Sequence, residues 1–331
     1  MPCCFSKVVL TYGNNISYFP VEILEIIFNS LGNDYHYIIS MVSRKFRDII
    51  ESIIHHRAKI GKYEPHYGFK TPLRIISSVS LINWALVNGC CPLDERICTV
   101  AARNGHLAVL QWINANLSKL QWDGDQDPPC PWNERTCEDA ARNGHLAVLQ
   151  WARSQGCPWN ESTCGNAALN GHLAVLQWAR AQDPPCPWNE YTCEFAAKDG
   201  HLHILQWARS QDPPCPWDEY TCSSAAQNGH LHILQWLRSQ DPPCPWNEYT
   251  CEFVAKYGHL HILQWARSQD PPCPWNKYTW EFAAKYGHLH ILQWARSQEP
   301  PCPWNEHTCE FAAKYGHLHI LQWARANGCP E

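Results

Sequence analysis

Cysteine and histidine are the residues here that could do chemistry, and the 331-residue chain holds 19 of the first and 18 of the second. Thiolate and imidazole are common zinc ligands, and a thiol beside an imidazole is a common nucleophile. Their spacing argues against both uses. The cysteines recur in pairs, Cys215 with Cys222 and Cys244 with Cys251, wider apart than a zinc knuckle, which separates two cysteines by about two to four residues. Trp280 stands where the pattern calls for another cysteine, and the pattern continues past it. A free cysteine behaves as a small hydrophobe, so these thiols read as core. The histidines form two ladders: His201, His230, His259, His288 and His317, then His203, His232, His261, His290 and His319. Residues two apart do not face each other on a helix, so such a pair is no chelate. The first ladder is expected to form hydrogen bonds that fix a turn between helices. Nothing in the chain has the form of a nucleophile elbow, a phosphate loop or a paired-carboxylate site. The expectation is no catalytic residue, no metal, no cofactor and no enzyme.

What positions these residues is a repeat. The stretch Pro245–Cys273 reads PWNEYTCEFVAKYGHLHILQWARSQDPPC, and close copies begin at Pro131, Pro158, Pro187, Pro216, Pro274 and Pro303. The glycine of Gly-His-Leu falls at 105, 144, 171, 200, 229, 258, 287 and 316. Self-similarity at such a period marks a solenoid or array. Thr250–Tyr257 reads as a short helix, and Gly258 breaks it. His259–Gln269 reads as a second helix, with Leu260, Leu263 and Ala266 at helical spacing and Ile262 and Trp265 widening the stripe. Asp270-Pro271-Pro272-Cys273-Pro274 cannot be helical. One helix pair cannot bury both its apolar faces; stacked copies can. Two tryptophans per copy, such as Trp246 and Trp265, supply bulk to each short unit. An exposed aromatic stripe is the other reading of them.

These residues resemble the ankyrin family. Ala196-Ala197, then Gly200-His201-Leu202 and an Ile-Leu pair, is similar to the ankyrin junction between first and second helix. The family opening Thr-Pro-Leu-His is replaced, for example by Tyr191-Thr192-Cys193-Glu194, and the copies are shorter than the usual ankyrin unit. The resemblance implies an all-α solenoid of helix-turn-helix units with a compact Pro/Trp loop in place of the ankyrin β-hairpin. The short tryptophan-rich copies look most like the ankyrin arrays of giant DNA viruses of amoebae.

The N-terminal region differs in character. Pro20 is well placed in a first helical turn, and Ile23, Leu24, Ile27, Phe28 and Leu31 make one apolar face. A unit of about 40 residues is too small to be comfortably stable alone. Phe19-Pro20-Val21-Glu22-Ile23-Leu24-Glu25-Ile26-Ile27-Phe28-Asn29-Ser30-Leu31 resembles the opening of an F-box, and Val42-Ser43-Arg44-Lys45-Phe46 resembles its later Val-Cys-Lys-x-Trp segment. The resemblance implies docking to a Skp-type adaptor of a cullin–RING ubiquitin ligase, with Pro20, Leu24, Ile27, Leu31, Val42 and Phe46 in or under the docking face. A helical cap on the solenoid is the alternative. The expected organisation is a tail at 1–16, an F-box-like domain at 17–56, a connector at 57–74 and the array at 75–331. The array has about nine units, the first degenerate, with an insertion at 113–130.

Charge narrows the partners. Residues 1–75 hold nine Lys/Arg against six Asp/Glu, leaving 17 against 25 for the remainder. A mildly acidic array lacks the clustered cations that phosphates demand, so no nucleic acid is expected. No apolar run reaches the roughly 18 residues of a transmembrane helix. The N-terminus is not a secretory signal, so stable disulfides are not expected either. Cys3-Cys4 is a single weak acylation signal. The chain is expected to be a cytoplasmic monomer with no membrane partner, in the host cytoplasm or nucleus if viral.

Variation between copies suggests where a target protein would bind. The positions held by Phe195, Phe253, Phe282 and Phe311 are Asp139, Asn166 and Ser224 in other copies. A position that varies so widely is not core by its pattern. Together with Tyr257, Tyr286 and Tyr315, these rings would make an aromatic ladder with lysine between, placing a target mainly over 245–320. The alternative is that the phenylalanines pack on a neighbouring copy. Three functions follow: a substrate-recruiting ligase adaptor, a binding scaffold without a ligase, or a repeat expanded by duplication with little selected role.

Overall fold

The computed structural model describes residues 79, 95–116, 132–299 and 306–329. The chain divides into two compact units, Met1–Ile97 with Ala108–Pro129, and Cys98–Leu107 with Cys130–Glu331. In the first unit the described part is mainly helical residues 108–116, which bury Val109, Leu110 and Ile113. That helix runs to Asn116, so the opening residues of the expected 113–130 insertion are helical. The rest of the insertion and the F-box-like segment lie outside the described residues.

The second unit is a series of helix pairs. Sixteen helices and no strand occur among the described residues of the chain. A representative pair is Glu248–Tyr257 and Leu260–Arg267. The first helix begins two residues earlier than its apolar pattern suggests, because Asn247 caps it: its side-chain oxygen accepts the Tyr249 N–H at 3.0 Å. Glu248 then adds negative charge at the positive end of the helix. Thr250, Cys251, Val254 and Ala255 form the buried face, and Ile262, Leu263 and Ala266 answer from the second helix. The second helix is shorter than its expected span. Ser268 and Gln269 fold back on it instead of extending it, their side chains both donating to the Trp265 carbonyl.

The loop tryptophans Trp159, Trp188, Trp217, Trp246 and Trp275 are each held on both sides. Trp246 meets Trp265 edge to face at 6.0 Å, and the Arg238 guanidinium lies 4.2 Å from its ring centre. The same arginine donates to the carbonyl of loop residue Cys244 at 2.7 Å. These rings are half-buried clamps on the loop rather than an exposed stripe. First helices pack on first helices along the series, as Glu190–Lys198 on Glu219–Gln227, while second helices contact mainly their own partners.

Candidate docking face on the first helices

The histidine ladder explains how copies are joined. His288 Nε2 lies 3.0 Å from the Lys256 carbonyl, which belongs to the preceding copy. His201, His230, His259 and His317 reach Leu169, Lys198, Gln227 and Lys285 in the same way. A carbonyl only accepts, so Nε2 carries the proton. The expected hydrogen bond exists, but the turn it fixes is that of the copy before. Gly258 completes the joint. Its φ is 81°, and a Cβ there would sit 2.7 Å from His288 Cε1. Burial is the main cause that lowers the pKa of His230 and His288, favouring the neutral ring.

The capping residues link copies too. Asn276 accepts from the Tyr278 N–H and donates through Nδ2 to Glu252 of the preceding copy at 2.7 Å. Burial raises the Glu252 carboxyl above its ordinary value, and the Asn276 bond opposes this. Glu194 is raised by the same cause and accepts from Ser224 at 3.1 Å.

The cysteines are buried throughout the described residues, in line with their reading as core. Sequence reasoning missed their pairing: the helix cysteine and loop cysteine of one copy meet, Cys137 Sγ lying 3.4 Å from Cys157 Sγ. The loop thiol also donates to the capping residue's carbonyl, Cys244 to Asp218 at 3.4 Å. Burial and the Cys222 thiol push the Cys244 pKa far up, so it stays a neutral thiol. No cluster of three or more metal-ligating side chains occurs among the described residues.

The aromatic positions gather on the first helices. Tyr257, Tyr286 and Tyr315 are 41%, 42% and 45% exposed, while Phe195, Phe253, Phe282 and Phe311 are half-buried. Phe282 and Tyr286 lie 6.4 Å apart between ring centres, and Phe311 and Tyr315 lie 6.3 Å apart. Phe195 rests beside Gly165 of the copy before, where an added Cβ would meet its ring at 3.4 Å. A further row was missed. Tyr191, Tyr220, Tyr249 and Tyr278 are exposed, one turn before the phenylalanine position. Tyr249 stacks on Phe253 at 6.5 Å and on Tyr220 of the preceding copy at 6.1 Å. The signal was available: Tyr249, Phe253 and Tyr257 are spaced i, i+4, i+8, which places them on one helix face.

Lysines thread these rings. Lys256 Nζ lies 5.1 Å from the Tyr257 ring centre and 5.6 Å from that of Tyr286 in the next copy. Lys285 lies 5.5 Å from Tyr286 and 5.1 Å from Tyr315. Earlier in the series the equivalent cation, Arg103, is paired instead with Asp139 at 2.9 Å. The arrangement presents aromatic faces and ammonium groups side by side on the first helices.

Pro20, Leu24, Ile27, Leu31, Val42 and Phe46 lie outside the described residues. An F-box domain matches residues 16–57. The match covers the whole N-terminal stretch whose Phe-Pro-x-Glu-Ile-Leu opening resembles that family. No curated protein matches the chain. Among solved structures it is similar to the pentatricopeptide repeat protein PPR10 in complex with an 18-nt psaJ RNA element, at 14% identity over 98% of this chain and 53% of that one, with a TM-score of 0.43. PPR10 from maize matches at 12% identity over 100% and 54%, with a TM-score of 0.38. The human ASB11 ankyrin repeat domain matches at 14% identity over 50% and 80%, with a TM-score of 0.34. The chain spans about half the length of the pentatricopeptide repeat chains it matches. No helix among the described residues is long and apolar enough to cross a membrane.

Proposed function

We propose that the chain is a substrate-recruiting adaptor of a cullin–RING ubiquitin ligase. The observation that carries this is the F-box domain at residues 16–57 followed in the same chain by a helical array with an exposed aromatic face. The F-box docks a Skp-type subunit through Pro20, Leu24, Ile27, Leu31, Val42 and Phe46. The first helices of the array hold a target protein, and other subunits transfer ubiquitin to it. Phe195, Phe253, Phe282 and Phe311 stiffen that face from beneath, and Tyr257, Tyr286 and Tyr315 meet the target. No covalent chemistry is assigned to this chain, and it acts as a cytoplasmic monomer. The short tryptophan-rich copies support origin in a giant DNA virus of amoebae, in which case adaptor and cullin belong to the host.

The test is co-purification of the full chain with a Skp-type subunit. Leu24→Asp with Ile27→Asp should abolish the complex, because two carboxylates cannot be buried unpaired at an apolar interface. Helix content should be unchanged, since the array is a separate stretch of the chain. Failure of the intact, folded chain to bind any Skp-type subunit removes the ligase and leaves a scaffold that sequesters its partner.

A further inference from the structure

We infer that the docking face takes an acidic, extended segment of its target with a carboxylate at every third residue. This rests on the reading of that face as the target site. Three observations carry it. First, one position recurs two residues before each Gly-His-Leu glycine: Arg103, Arg142, Leu169, Lys198, Gln227, Lys256, Lys285 and Lys314. At four of these positions the residue faces the next copy: Arg103 faces Asp139, Gln227 faces Tyr257, Lys256 faces Tyr286 and Lys285 faces Tyr315.

Second, the internal carboxylate has been exchanged for rings. Asp139 neutralises Arg103 within the array. In later copies the Asp139 position is Phe253, Phe282 or Phe311. Among the described residues, Lys256, Lys285 and Lys314 then form no ion pair. The tyrosine faces hold the Lys256 and Lys285 ammonium groups in place by cation–π attraction and leave their outer side for an anion.

Third, the spacing selects the anion. Packed helices lie about 8–10 Å apart, and a chain in the extended polyproline II form rises about 3.1 Å per residue with three residues per turn, so three residues span one copy and every third side chain returns to the same face. A Glu-x-x-Glu-x-x-Glu segment meets Lys256, Lys285 and Lys314 in turn, and its intervening side chains lie against Tyr257, Tyr286 and Tyr315. A nucleic acid fits less well. Its phosphates are more closely spaced than one per copy, and tight binding neutralises about 6–10 of them.

The experiment uses the full chain and a fluorescent peptide of repeated Glu-Pro-Pro triplets, whose prolines hold the three-residue turn of polyproline II. Fluorescence anisotropy should show saturable binding that weakens as salt is raised. A peptide of the same composition with its glutamates in one block should bind about tenfold more weakly. Lys256→Gln, Lys285→Gln and Lys314→Gln together should cost a similar factor while helix content and Skp-type adaptor binding stay unchanged. Equal binding of the two peptides, indifference to the lysine changes, absence of peptide binding, or tighter binding of a single-stranded RNA each overturn the inference. Loss of adaptor binding by the unmodified chain is a separate result, which speaks only to the ligase.

Discussion

Gly258→Ala should cost far more than its small size suggests, and two terms set the amount. The backbone sits at φ 81°, and a left-handed conformation costs a non-glycine residue about 1–2 kcal/mol. The new Cβ would lie 2.7 Å from His288 Cε1, so the ring must move and its 3.0 Å bond to the Lys256 carbonyl breaks. A lost hydrogen bond of this kind is worth about 1 kcal/mol, giving roughly 2–3 kcal/mol together. The chain holds its own control. Gly316 has φ 77° but nothing within 4 Å of its added Cβ, so Gly316→Ala should cost only the backbone term, about 1–2 kcal/mol. His288→Ala removes the obstacle, and the double change Gly258→Ala/His288→Ala should therefore cost about 1 kcal/mol less than the sum of the singles. Urea unfolding followed by circular dichroism gives the totals. Hydrogen exchange at the two copies locates the loss, since a repeat array need not unfold as one unit. Equal costs at Gly258 and Gly316, or additivity within about 0.5 kcal/mol in the double mutant, would refute the joint described here.

Burial holds His230 and His288 below their ordinary value of 6.5, so the unfolded chain takes up those protons first as pH falls. Their contribution is complete above 6.5 and declines below it, and the urea midpoint should drop between about pH 7 and 5.5, with His230→Gln and His288→Gln flattening the slope. Glu194 and Glu252, whose raised values work in the opposite sense, act further down in the carboxylate range. The thiols of Cys244 and Cys251 should resist Ellman's reagent in the native chain and react once urea unfolds it; rapid native modification would show that they are not buried neutral thiols. Replacing Phe253, Phe282 and Phe311 by Gln together should weaken peptide capture while leaving helix content and adaptor binding intact, and melting of the array would instead make those rings joints between copies.

The fold was largely legible, because a glycine every 29 residues over much of the chain and a fixed Ala-Ala-x-x-Gly-His-Leu phrase state both the unit and its stacking. What a repeat cannot state is which neighbour a side chain reaches. Period alone places His288 at a turn; only the packed structure gives it Lys256 of the copy before. Asn247 was passed over as part of a Pro-Trp-Asn phrase, although Asn before Glu is a helix-start signal, and the first helix came out two residues longer for it. The docking face was half legible. Variation among Asp139, Ser224 and Phe253 marked one position; the tyrosine row four residues earlier varies too, being Arg135, Ser162 and His307 in other copies, and that signal went unused. Tyr191, Tyr220, Tyr249 and Tyr278 are exposed beside it.

The glycine and histidine of each joint have a consequence for the growth of the array. Each copy from Gly105 to Gly287 carries a hollow filled by the histidine ring of the copy after it, and each copy from His145 to His317 carries the matching ring. The two halves of the joint therefore travel in one unit of sequence. A whole copy can be gained or lost in frame and the newly adjoining copies still match, with no second change needed. Array length is thereby separated from joint quality, and the number of aromatic and lysine rungs on the first helices can change by whole copies without remaking the scaffold that holds them.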